Sequence, residues 1–166
     1  MGQAYETLIN PRRPVPRRPW ISPGLTDAVL AEAPPPDAVR PELVPRLTDR
    51  YLVGHNVGVD RRLLHRRYPG IRPAGVIDTL RLAKLTGATQ RSLTALVDRY
   101  ALTERVGELV PHGHPHRALW DTVAAALLLQ ELIAEQWPSP PDFDALVASA
   151  GERFGHHNDP EQQTLL

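Results

Sequence analysis

Along this chain apolar residues recur mostly at the three-to-four spacing of helices, interrupted by a few short runs that suit strands. The longest periodic run covers about Arg117 to Gln136 and is closed by Trp137-Pro138. Ahead of it the same spacing predicts a short helix over Ala28–Ala33, capped by Thr26 or Asp27 and stopped by Pro34-Pro35-Pro36. A second is expected over Ala38–Leu47, with Pro41 restricting its start, and a third over Val59–Tyr68, with Leu63 and Leu64 inward and Pro69-Gly70 at its end. Asp78-Thr79 caps a helix carrying Leu80, Leu82, Ala83 and Leu85, and Ser92 caps one carrying Leu93, Leu96, Val97 and Tyr100. A loop follows from Gly107 to Pro115, and Asp144–Ala150 reads as a weaker last helix. Strands are expected at 4–9, where Tyr, Thr and Ile suit a pleated surface, at Tyr51–Val53 ending on Gly54, and at Val76-Ile77. Strands interleaved with helices imply an α/β fold, with residues 1–150 as one domain and 151–166 as a flexible tail.

Composition narrows the setting. A chain of 166 residues with 42% hydrophobic side chains fills one core. Acidic and basic residues balance at 19 each, so any polyanion site must be a local patch. The most basic stretch is the proline-rich segment from Pro11 to Pro19, where Arg12, Arg13, Arg17 and Arg18 stand on backbone that cannot be helix or central strand. With no cysteine, disulfides, thiolate catalysis and sulfur-bound zinc are excluded. The first residues lack an export signal's pattern and no apolar run spans a bilayer, so a cytoplasmic protein with no membrane partner is expected.

Chemistry concentrates in two stretches. Asp60 follows Gly54-His55-Asn56-Val57-Gly58-Val59 just inside one helix start, and Asp121 closes His116-Arg117-Ala118-Leu119-Trp120-Asp121 at the start of another. A helix start favours a carboxylate, and two carboxylates with a neutral imidazole can hold magnesium or manganese and deprotonate water. By spacing alone the aspartates could equally do no more than favour their helices. His112, His114 and His116 could mimic a zinc string, although solvated loop histidines are the plainer reading. Arg61, Arg62, Arg66 and Arg67 lie outward on one helix, where they either meet phosphate or are simply solvated.

These stretches, with Ile77-Asp78-Thr79-Leu80 and the connecting segments Tyr5–Pro11, Pro14–Pro16, Gly24–Asp27 and Ala33-Pro34, resemble the DEDDh 3'-5' exonucleases. That is the family of the proofreading epsilon subunit of bacterial DNA polymerase III. The resemblance spans roughly residues 4 to 136. It implies an RNase H-like mixed sheet flanked by helices, two bound Mg2+ or Mn2+ ions, and hydrolysis of phosphodiesters at single-stranded 3' ends. It also implies that Asp121 ligates one ion directly, Asp60 holds the second, usually through water, and His116 is the general base. His55 and Asn56, with Arg12, Arg13, Arg17, Arg18, Arg61 and Arg62, become weaker candidates for contact with nucleic acid, and a DNA polymerase or another replication or repair protein a candidate partner.

The family's first strand carries an Asp-x-Glu pair, and only four residues precede Tyr5. Three of the five catalytic side chains are therefore present, and the sheet would lack its first strands. The expectation is an N-terminally truncated chain, whose gene encodes more upstream, with weak metal binding and little or no hydrolysis unless the missing motif is supplied. The alternative is a non-catalytic module of the same fold that binds nucleic acid or a partner protein. A sheet short of a central strand is also expected to recruit a neighbouring chain's edge. Pro23 stands where many relatives place a histidine.

Overall fold

The computed structural model describes residues 4–16 and 24–155. Its core is built on the longest helix. In α7 (Ala118–Gln136) Trp120, Ala124, Leu128 and Leu132 fall every four positions on one stripe, and all four are buried. Three shorter helices close on that stripe: α4 (Thr79–Leu85), α5 (Leu93–Arg99) and α6 (Thr103–Leu109). They contribute Leu82, Leu96, Val97 and Val106, each with essentially no surface left. Burying a side chain of that size is worth about 1.5–3 kcal/mol, so this layer holds much of the fold's stability.

Beside the helices lies a mixed three-stranded sheet. Strand β1 (Tyr51–Gly54) pairs in parallel with β2 (Gly75–Asp78), which pairs antiparallel with β3 (Gly151–Arg153). All four residues of β2 are buried, as suits the middle strand. Gly75 is required there, because a Cβ would sit 2.4 Å from the Tyr51 ring and 2.5 Å from the Glu152 carbonyl oxygen. Helix α8 (Phe143–Ala150) is capped by Asp142, which accepts from the Ala145 amide, and runs straight into β3. The α/β class, the two middle strands and most helices are where the hydrophobic pattern places them.

Several expectations are corrected. Residues 4–9 form no strand; the Asn10 amide instead donates to the Pro34 carbonyl, and the segment meets α1 (Asp27–Ala31) and its exit loop. Helix α2 (Pro36–Leu47) starts earlier than expected, with Pro36 in its first turn, and continues through both Pro41 and Pro45. Helix α6 occupies residues expected in part to be loop, held by Leu102, Val106 and Val110, which are buried at i, i+4 and i+8. Residues 151–153 pair as β3, and the Phe154 amide donates to the Ala74 carbonyl. The mixed sheet implied by the resemblance is represented among the described residues by three strands with β1 at an edge.

Helix α3 (Gly58–Arg67) departs most from the amphipathic reading. It buries no residue, and Leu63, expected inward, is 57% exposed, while Leu64 is half-buried. The reason is on the other side of β1. A groove of about 520 Å3 runs there, lined by Ile9, Leu52, Val53, Leu63, Leu64 and Tyr68, so the apolar face of α3 looks into open space.

Candidate active site

The parallel pair β1 and β2 ends in register at Gly54 and Asp78, and the chain leaves both strands on the same side of the sheet. Ends of parallel strands are where α/β folds gather their chemistry. From β1 the chain turns through His55 and Asn56, whose φ of 61° lies in the left-handed region that asparagine tolerates better than most residues. It then enters α3, placing Asp60 on the first turn. From the opposite direction the loop 110–117 delivers α7, with Asp121 on its first turn.

Asp60 keeps an exposed surface, yet protein crowds its carboxyl enough that lost solvation pushes its pKa above the usual carboxylate range. Its own backbone amide opposes that shift, and the charges of Asp121 and Asp78 add to it. Asp121 is also pushed up, chiefly by burial. Against that act the His116 amide, which donates to Asp121 Oδ1 at 3.1 Å, and the positive charge that His116, His55 and His114 can carry. Asp60 and Thr122, the residue after Asp121, line the same groove, which brings the two helix starts to one place. Among the described residues neither aspartate forms an ion pair. Such a pair lowers its energy by taking up a cation or a proton.

His116 is exposed, and its φ of 70° is strained for a residue other than glycine. The hydrogen bond from its amide to Asp121 helps hold that conformation and leaves the ring free of any hydrogen bond among the described residues. His55 behaves differently. Its Nε2–H donates to the Arg91 carbonyl at 2.9 Å, and its Nδ1 lies 2.9 Å from the Thr79 hydroxyl, so both ring nitrogens are committed. Burial pushes its pKa below the ordinary value. It joins the site loop to the loop before α5 and presents no free nitrogen to a ligand.

The arginine candidates divide. Arg61 lies with its guanidinium 4.0 Å over the Phe154 ring and 3.4 Å from Glu152, so it already has partners within the chain. Arg62, Arg66 and Arg67 are exposed on α3, and Arg12 and Arg13 are exposed in the segment before α1. Asn56 is also exposed. Arg17, Arg18, Pro23 and the paired histidines 156 and 157 lie outside the described residues. Among the described residues no three His, Asp or Glu side chains are grouped to hold a metal, which leaves the histidine string 112–116 without a zinc geometry. Asp60 and Asp121 offer two anionic oxygen ligands, which suit magnesium or manganese in kind and fall short in number.

The sequence pattern gives Asp78 and Thr79 only a capping role. In the structure Asp78 is nearly buried, and its Oδ1 accepts from both the Leu80 amide at 2.9 Å and the Asn56 amide at 2.8 Å. A carboxylate closing a fully apolar strand is the signal that could have revealed this, because a buried charge needs more than one donor.

Comparison with known proteins now bears on this geometry. The sequence model of the exonuclease family matches residues 1–129. A DNA polymerase III subunit epsilon-like protein of Rhodobacter capsulatus is 35% identical over 130 residues, which cover 75% of this chain and 18% of that protein. The PolC-type DNA polymerase III of Bacillus cereus is 29% identical over 173 residues, 98% of this chain and 11% of its own length. That of Thermotoga maritima is 34% identical over 129 residues, 74% of this chain and 9% of its own. The chain thus spans under a fifth of these relatives, and no solved structure matches it significantly. The family match covers both aspartates and His116, so the chain belongs to the exonuclease family, and its mixed sheet flanked by helices is consistent with an RNase H-like fold.

Proposed function

We propose that this chain is a 3'-5' exonuclease module acting on single-stranded nucleic-acid ends, in which Asp60 and Asp121 hold Mg2+ or Mn2+ and His116 removes a proton from the attacking water. The observation that carries this reading is the convergence of two helix starts on one groove, lined by Asp60 and by Thr122 next to Asp121, with His116 attached to Asp121 through its amide. A divalent cation bound there would polarise the phosphate and supply hydroxide at neutral pH. Asp121 would be the direct ligand through the oxygen not bonded to His116, and Asp60 would act through water. The His116 ring, on an exposed loop, can swing over the cleft and collect the proton. Exposed arginines of α3, Arg62 above all, would meet the backbone of the strand.

Two carboxylates balance too little of the charge of a metal pair and a phosphate, so turnover by this polypeptide alone is expected to be marginal. An acidic strand beside β1 would complete the cage. The exonuclease-like unit would comprise residues 1–150 together with β3, in a cytoplasmic replication or repair setting with a polymerase as partner, as the names of the relatives suggest. A second reading, a non-catalytic nucleic-acid or partner-binding module, draws support from the use of one Asp121 oxygen to hold its own loop.

The test is manganese-dependent release of nucleoside monophosphates from a labelled single strand. Under the first reading any release falls about 10^2- to 10^4-fold in His116→Ala, the range of a lost general base, and is abolished in Asp121→Asn. Release unaffected by both substitutions would sink it. No release even with an acidic first-strand segment added would favour the binding module.

A further inference from the structure

Helix α3 carries Asp60 but buries none of its own residues, and along its length it is tied down by the contacts of Arg61 with Phe154 and Glu152. Its start is held from outside. The residue before the helix, Val57, is buried, and the residue before that, Asn56, sits at a φ of 61°. What holds Asn56 there is Asp78. The carboxylate is only 8% exposed, and its Oδ1 accepts from the Asn56 amide and from the Leu80 amide. It thereby ties the loop after β1 to the cap of α4, a helix packed into the core. Thr79, fully buried, reinforces the tie by donating its hydroxyl hydrogen to His55 Nδ1 at 2.9 Å. Hydrogen bonds to a buried carboxylate are about twice as strong as neutral ones, so this contact can hold a left-handed residue that would otherwise relax.

We propose that Asp78 is a positioning residue for the Asp60–Asp121 site: through the Asn56 amide it sets the direction in which α3 presents Asp60. The inference rests on reading Asp60 as a metal-site carboxylate, and it concerns how that carboxylate is held. Asp78 itself does not touch the reacting groups. Its Oδ1 accepts from backbone amides of two elements, and its removal frees the loop.

The test is by nuclear magnetic resonance on the 166-residue chain without metal, then with Mn2+ alone. In the wild type the Asn56 amide should be protected from hydrogen exchange. In Asp78→Ala it should lose protection, and residues 55–60 should gain mobility on the nanosecond scale, while the start of α7 keeps its shifts. Asp78→Asn, which retains an acceptor oxygen, should restore order. With Mn2+, the midpoint for paramagnetic broadening at residues 60 and 121 should rise about 10-fold in Asp78→Ala, the usual cost of losing a residue that orients a ligand, and stay near wild type in Asp78→Asn. An Asn56 amide that exchanges freely in the wild type overturns the proposal even if Asp78→Ala does not fold. So does a folded Asp78→Ala chain with residues 55–60 unchanged. If Mn2+ broadens neither aspartate in the wild type, the metal reading fails, while the metal-free spectra still decide whether Asp78 anchors the loop.

Discussion

At the scale of single residues, the site works against the stability of the fold. Asp60 and Asp121 both titrate above their ordinary value of 3.8, chiefly through lost solvation, so the folded chain binds protons there that the unfolded chain does not. Stability therefore falls as pH rises from 3.8 through the raised folded values, and at neutral pH each carboxylate costs folding free energy. Asp60→Asn and Asp121→Asn should raise the melting temperature at about pH 7, and the gain should vanish near pH 4, as read by scanning calorimetry at both values. Loss of stability at neutral pH in both variants would show that the aspartates are held by structural bonds. His55 has the opposite sign: its lowered pKa makes folding less favourable as pH drops below 6.5. Asp60, Asp121 and His116 were legible as candidates because the two stretches that carry them resemble motifs of a family. The committed ring of His55 was not, because its partners Thr79 and Arg91 lie 24 and 36 residues further along the chain.

Among the elements, burial separates two helices that look alike in sequence. Both α3 and α7 begin with an aspartate in the first turn and carry leucines at helical spacing, yet α7 buries five residues and α3 none. Leu128→Ala in α7 should cost about 2–5 kcal/mol, whereas Leu63→Ala in α3 should stay within about 0.5 kcal/mol, both measured by urea unfolding. Equal losses would mean that the face of α3 is covered in solution. Periodicity located α4, α5, α7 and α8 because their apolar stripes meet a core. It gave α3 a buried face because spacing records which residues share a side and cannot record whether anything stands opposite. The strand expected at 4–9 failed for a related reason, since local preference for an extended backbone makes no strand without a ladder partner. Helix α6 was readable from Leu102, Val106 and Val110, but its glycine at 107 reads locally as a breaker.

For the whole molecule, these departures converge on one side of the sheet. Strand β1 has β2 on one edge, and among the described residues no strand on the other. Val53 is 39% exposed beside the groove that α3 overlooks. An open edge with apolar residues on it is a template for another strand, and Tyr51–Gly54 contains neither a charge nor a proline to block pairing. We expect a second copy of the chain to pair there, edge to edge, because a two-fold arrangement offers each β1 the same open ladder and covers both grooves at once. Sedimentation of the purified chain should then show an apparent mass that rises with concentration. Val53→Lys should suppress that rise, since a charge at the middle of a four-residue edge strand opposes pairing, and it should leave the monomer's helical signal intact because Val53 lies outside the buried core. A monomer at every concentration would count against pairing through β1. A mass unchanged by Val53→Lys would move the contact elsewhere, with the exposed apolar residues Leu85, Leu109 and Phe143 next to be tested.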